Sequence, residues 1–206
     1  MDWSSSIGIV VALLAAIGLP LALHKRKKGD PKKREELCYY LQEIGIRASL
    51  AKEGNDEEKM GLGRVSGQKS QGIIELKNRN TDSINVIGIA SQYGVHYFLD
   101  YLVKSPNIIE RRMLRKTRLI RKKSLPIWGK VATIKWAGDH ALSQSLNFDY
   151  GLEDKLLQSN LKDLEGSIWI FPEPKYEYAR IRTTYFLPSL EDLDAIDIIA
   201  KHVKSW

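Results

Sequence analysis

Seventeen consecutive residues, Ile7 to Leu23, carry no charged or strongly polar side chain, and the cations Lys25-Arg26-Lys27-Lys28 and Lys32-Lys33-Arg34 follow at once. A core helix of a globular domain seldom lacks a polar face over such a length. A membrane-spanning helix needs about 20 residues at about 1.5 Å each, and Trp3 with Ser4 to Ser6 extends the run to that length. The Trp3 indole then sits at headgroup level. Pro20 is tolerable because the backbone group it frees lies close to the polar interface. A cleaved signal peptide wants a basic start and a small-x-small cleavage site. Here Met1-Asp2-Trp3 is acidic, and Leu21-Ala22-Leu23-His24 leads straight into the cations. Basic residues just past a span are held on the cytoplasmic side. Residues 1–24 are therefore expected to be an uncleaved single-pass anchor in the cell membrane, with the N-terminus outside and the rest of the chain cytoplasmic.

Charge is unevenly spread. The net charge of +7 comes from two short segments, 25–34 with seven Lys/Arg and one acid, and 111–123 with eight Lys/Arg and none. Without them 17 basic and 24 acidic residues remain, a net of −7. Two local basic patches on an otherwise acidic chain argue for local contact with an anionic surface rather than for a generally basic protein. A single cysteine, Cys38, excludes an intramolecular disulfide and any multi-cysteine metal site, and it fits a reducing compartment.

Past the anchor the chain is long enough for one domain with its own core. Residues 25–53 read as a basic juxtamembrane segment and an amphipathic helix over 30–53. Asp30 is placed as N-cap and Pro31 at the first helical position. Leu37, Leu41, Ile44, Ala48 and Ala51 make one apolar stripe. That stripe either packs on its own domain or pairs two anchored chains as a homodimer through residues 37–51. Residues 54–72, rich in glycine and charge, read as a flexible linker before a soluble domain at 73–206. Alternating residues over 73–77, 84–89 and 93–103 read as strands, as does 128–137. A leucine face over 152–164 and a closing helix started by Ser189 and Asp192 read as helices, with 167–187 a hairpin between them. The Leu190, Leu193, Ile196, Ile199, Ala200 and Val203 face of the last helix is expected to be buried. The fold class is α+β: an N-terminal single transmembrane helix plus a two-layer domain of mostly antiparallel sheet with late helices.

Chemistry-bearing motifs are sparse. Gly67-Gln-Lys-Ser70 lacks the glycines a phosphate loop needs, and no D-x-[DN]-x-[DN]-G calcium loop occurs. His24, His96, His140 and His202 have no partners at metal-ligand spacing. Asp139-His140 has no G-x-S-x-G serine elbow to accompany it. Cys38 reads as a small apolar helix residue, with acylation the alternative. No cofactor, metal or catalytic set is expected. The functional candidates are the basic residues Lys25, Arg26, Lys27, Lys28, Arg111, Arg112, Arg115, Lys116, Arg118, Arg121, Lys122 and Lys123. Near an anionic inner leaflet each is worth about 1 kcal/mol. The expected function is non-catalytic binding or scaffolding: contact with anionic lipid or an acidic protein partner, led by Arg115, Arg118 and Arg121. Nucleic acid is the second choice, because the residues interleaved with these cations are aliphatic, whereas single-strand binders set stacking aromatics beside their charge. An enzyme of unrecognised type is the third.

Overall fold

The computed structural model describes residues 32–60, 62, 67–110, 115–123, 131–164 and 168–206. The anchor expected over 1–24, the candidates Lys25 to Lys28, and Arg111 and Arg112 lie outside the described residues. Among the described residues no helix is long and apolar enough to cross a membrane.

The described elements run α1 (Lys32–Glu43), β1 (Ala48–Leu50), β2 (Gln68–Leu76), β3 (Ser83–Ser91), β4 (Gly94–Lys104), β5 (Thr117–Lys123), β6 (Val131–Ala137), α2 (His140–Asn147), α3 (Tyr150–Gln158), β7 (Trp169–Glu173), β8 (Tyr178–Thr184) and α4 (Leu190–Lys204). One eight-stranded sheet has the order β1-β2-β3-β4-β8-β7-β5-β6. Every pairing in it is antiparallel. The fold is α+β, as the alternation of branched and aromatic residues implied.

Alternation decides the two faces of the sheet. In β4, Leu99, Tyr101 and Val103 point to one side, and Asp100 and Leu102 to the other. The first side carries the main core. There Ile84, Val86, Leu99, Tyr101, Ile170 and Ile181 pack against Leu37 and Leu41 of α1, Leu142 and Leu146 of α2, Leu152 and Leu156 of α3, and Leu193, Ile196 and Ile199 of α4. A small cluster of Ala51, Met60, Ile73 and Leu102 lies on the second side.

Three expectations need correction. The helix expected over 30–53 ends at Glu43. Gly45 takes a φ of +87°, its N–H donates to Gln42 O, and the N–H of Ile46 donates to Leu41 O. This pair of bonds satisfies the last carbonyls and stops the helix. The chain then turns back, and Ala48 and Ala51 reach the core from strand and loop. Leu37 and Leu41 are fully buried and Cys38 nearly so, and all three belong to the main core. Burial also pushes the Cys38 thiol up, which suits a core residue better than an acylated one.

The expected linker 54–72 is in part structured. Asp56–Lys59 forms a 3₁₀ turn, Met60 is buried on the sheet, and β2 begins at Gln68. With β1 paired to β2, this segment is a connection inside one domain. Helix α2, which no long periodic pattern announces, is started by the Asp139 side chain accepting from the N–H of Leu142. In α4 the capping box of Ser189 and Asp192 is as expected, but Leu190 is 45% exposed and lies off the buried face.

Candidate functional site

The second side of the sheet is built by the β7–β8 hairpin lying between β4 and β5. Pairing of Glu173 with Tyr178, Phe171 with Arg180 and Trp169 with Arg182 sets the register. Asp100 stands opposite Arg182 across β4 and β8. The Arg180 guanidinium reaches Asp100 Oδ2 at 2.7 Å and Glu173 Oε1 at 2.7 Å. Arg182 donates from Nε to Asp100 Oδ1 at 2.6 Å and from Nη2 to Asp100 Oδ2 at 2.8 Å. Asp100 is wholly buried, and Arg180 is only 2% exposed. Burial works against the Arg180 charge, but Asp100 and Glu173 beside it more than compensate and raise its pKa. Two arginines and two carboxylates balance, so this network holds strands together and offers no net charge to a partner.

Aromatic rings lie over that network. Arg180 stands 4.9 Å from the centre of the Phe171 ring, and Arg182 lies 5.6 Å from Phe171 and 5.5 Å from Phe98. Phe171 stacks on Trp169 at 6.0 Å with a 20° interplanar angle. Trp169 in turn carries two cations, Lys116 at 4.9 Å and Arg118 at 5.5 Å. A ladder of rings and cations thus runs from β4 across β8 and β7 to β5. Cations over ring faces gain about 0.5–1 kcal/mol at exposed sites.

The structure divides the sequence candidates. Spacing by three suits Arg115, Arg118 and Arg121 to one stripe of a helix, but residues 117–123 are a strand. Successive side chains therefore alternate, and Arg118 and Arg121 point to opposite faces. Arg118 and Lys122 are exposed with Ile120 on the second side, while Thr117 and Leu119 are buried on the helix side. Arg121 is half-buried and donates to Leu161 O at 2.7 Å. Burial lowers its pKa, with Asp163 working the other way, so it acts as a tie to the loop after α3. Arg115 and Lys116 are exposed just before β5. Arg115, Lys116, Arg118 and Lys122 have no ion-pair partner among the described residues. The strand of Lys123 is described, and its side chain lies outside that description.

The N-terminal basic run is also divided. Lys33 pairs with Glu36, and buried Arg34 with Glu35, so these two cations belong to α1 and not to a free basic surface. Gly138 sets the start of β5. It has a φ of +141°, and a Cβ there would run into the Lys116 carbonyl. The backbone of Lys116 can lie where it does only because residue 138 has no side chain. Asp139 and His140, weighed above as a reactive pair, are placed otherwise. Asp139 caps α2 and accepts from the Trp206 indole at 3.0 Å, and His140 is exposed at the helix start.

Reasoning along the sequence missed Phe98, Trp169, Phe171 and Arg182 as neighbours of the basic segment. The signal was available only as strand pairing: Arg118 lies opposite Trp169 across β5 and β7, although the two are far apart in the chain. Among the described residues no group of histidine, cysteine and acids is arranged to hold a metal ion. No family model matches the chain, and no curated protein or solved structure matches it.

Proposed function

We propose that this chain is a membrane-anchored binding module that lays the β5–β7 side of its sheet against an anionic surface, foremost the inner leaflet beside its own anchor. One observation carries the reading. Lys116 and Arg118 stand exposed over Trp169 with no ion-pair partner among the described residues, whereas Arg180 and Arg182 are paired with Asp100 and Glu173. The apolar run Ile7 to Leu23 would hold the domain near lipid, and Lys25 to Lys28 would keep it on the cytoplasmic side. A tethered domain works at high effective concentration, so each contact can be weak. Indole and guanidinium together suit a headgroup layer, where one end of the ring is wet and the other apolar.

The stacked pair Trp169–Phe171 supports a second reading, a single-stranded nucleic acid. The basic segment lacks aromatics in its own sequence, but the sheet brings them alongside, and ring-plus-cation platforms hold unpaired bases at about 1–3 kcal/mol each.

The test is co-sedimentation of the chain from residue 25 onward with vesicles of neutral or anionic lipid, at rising salt, beside titration with a labelled oligonucleotide. Binding to anionic vesicles only, falling with salt and lost in Lys116→Glu/Arg118→Glu, is the expected result. Equal binding to neutral vesicles would remove the electrostatic basis. Oligonucleotide binding without vesicle binding would replace the first reading by the second.

A further inference from the structure

A different cluster lies on the outer surface of the helix layer. Ser145 of α2, Asp149 at the start of α3 and His202 near the end of α4 converge on a cleft of about 590 Å³, which Gly151, Lys155, Lys201 and Ser205 also line. Ser145 Oγ is 2.7 Å from His202 Nδ1. His202 Nε2 is 2.8 Å from Asp149 Oδ2. Residues 145, 149 and 202 are brought together by the packing of three helices, and no local motif marks them.

We infer that Ser145, His202 and Asp149 form a serine-nucleophile site for a small carboxylic ester carrying a negative charge.

The roles follow from proton positions. Asp149 is anchored as the N-cap of α3, with Oδ1 accepting from the N–H of Leu152 at 2.9 Å. The hydrogen bond from His202, foremost, and the backbone N–H groups of α3 hold its carboxyl below the usual range against the opposing effect of burial. A carboxylate accepts only, so Nε2 of His202 carries the proton toward Asp149, and the Nδ1 lone pair faces the Ser145 hydroxyl. A nucleophile within hydrogen-bond reach of a base that a third group orients is the arrangement that activates serine, and it is recognised by roles rather than by sequence position. The ring is used in the sense Nδ1 to serine and Nε2 to carboxylate. All three side chains sit on helices or at a helix start, so the geometry is held by rigid elements.

In the reaction the Ser145 oxygen bonds to the ester carbonyl carbon while its proton passes to Nδ1. The carbon–oxygen bond to the alcohol then breaks, and Nδ1 returns the proton to the departing oxygen. Water attacks the acyl-serine and gives a proton to Nδ1. The bond from the acyl carbon to the Ser145 oxygen then breaks, Nδ1 returns the proton to that oxygen, and the acid leaves with the Ser145 hydroxyl restored. Charge developing on the carbonyl oxygen needs cations or N–H donors. The first-turn N–H groups of Leu152 and Glu153 are already taken by Asp149, which leaves Lys155 and Lys201 for that task. The same two cations favour a substrate with a negative charge of its own. The charged and titratable groups around His202 in this cleft are Asp149, Lys155 and Lys201.

A fluorophosphonate probe tests the site on the full chain in detergent, because it modifies activated serines whatever their natural substrate. Peptide mass analysis should find the label on Ser145. Labelling should vanish in Ser145→Ala and drop by about 10²-fold or more in His202→Gln and Asp149→Asn. Ser145 is exposed, so Ser145→Ala keeps the fold, and circular dichroism of each variant confirms that. No label on Ser145 in the folded chain overturns the inference, as does labelling that survives His202→Gln unchanged. This outcome is independent of vesicle or oligonucleotide binding, which involves the opposite side of the molecule.

Discussion

The two faces of the sheet solve the same burial problem by opposite means. On the helix side, Ile84, Leu99, Tyr101 and Ile181 meet the apolar stripes of four helices. On the second side no described α-helix packs; Met60, just after the 3₁₀ turn at 56–59, covers Ile73 and Leu102, and charges and rings stand over β7 and β8. Arg180 and Arg182 span Asp100 and Glu173, and Phe98 and Phe171 lie over them. The first solution places no demand on the order in which apolar residues meet. The second needs each charge to find its partner, because an unpaired buried charge costs more than the pair returns. The contrast teaches why the candidate binding surface lies where it does. At the β5 end of the second face Lys116, Arg118 and Lys122 have no ion-pair partner among the described residues.

The largest effect that would break the comparison is at Asp100. Asp100→Ala deprives both arginines of their shared carboxylate and should cost about 3–5 kcal/mol in denaturant unfolding. A cost below about 1 kcal/mol would show that the second face is no charge-paired core. On the helix face Ile196→Ala removes a buried side chain of the main core and should cost about 3 kcal/mol. Ser189→Ala removes the cap that starts α4 and should cost about 1 kcal/mol by the same measurement. Smallest of all in stability is Lys116→Glu/Arg118→Glu, which should stay within about 0.5 kcal/mol of the parent while abolishing contact with anionic vesicles. A large destabilisation there would make these cations part of the fold instead of a free surface.

Acid sharpens the contrast further. The Asp149 carboxyl has a depressed pKa, so its contribution is present above the unfolded value, near pH 4, and is lost as pH falls through the folded one. Thermal melts below about pH 4 should therefore show a shallower acid loss in Asp149→Asn than in the parent. Equal slopes would mean that the carboxyl titrates alike in both states.

Much of the fold was legible because its cues are local. The capping box at Ser189 and Asp192, the hairpin across 169–184 and the alternation in β3 and β4 each depend on residues within a few positions of one another. What misled the reading was also local. Ala48 and Ala51 continue a helical spacing by coincidence, and only Gly45, whose neighbours close the helix with two bonds, tells against it. Residues 107–123 read equally as helix or strand from their spacing, and pairing with β6 and β7 makes 117–123 a strand. The candidate sites were the least legible part. Trp169 joins Arg118 by strand pairing, and His202 joins Ser145 by helix packing, and neither leaves a mark on the spacing of residues.

The sequence by itself determined the uneven distribution of charge, the α+β class and the ends of its clearest helix, because electrostatics, side-chain alternation and capping act over one turn or one strand. Only the tertiary structure decided which cations are neutralised, which rings stand beside the rest and that a serine, a histidine and an aspartate from three helices share one cleft. Those are contacts between segments distant in the chain, and their energy exists only once strand order and helix packing have brought the partners within about 3 Å to 6 Å of each other.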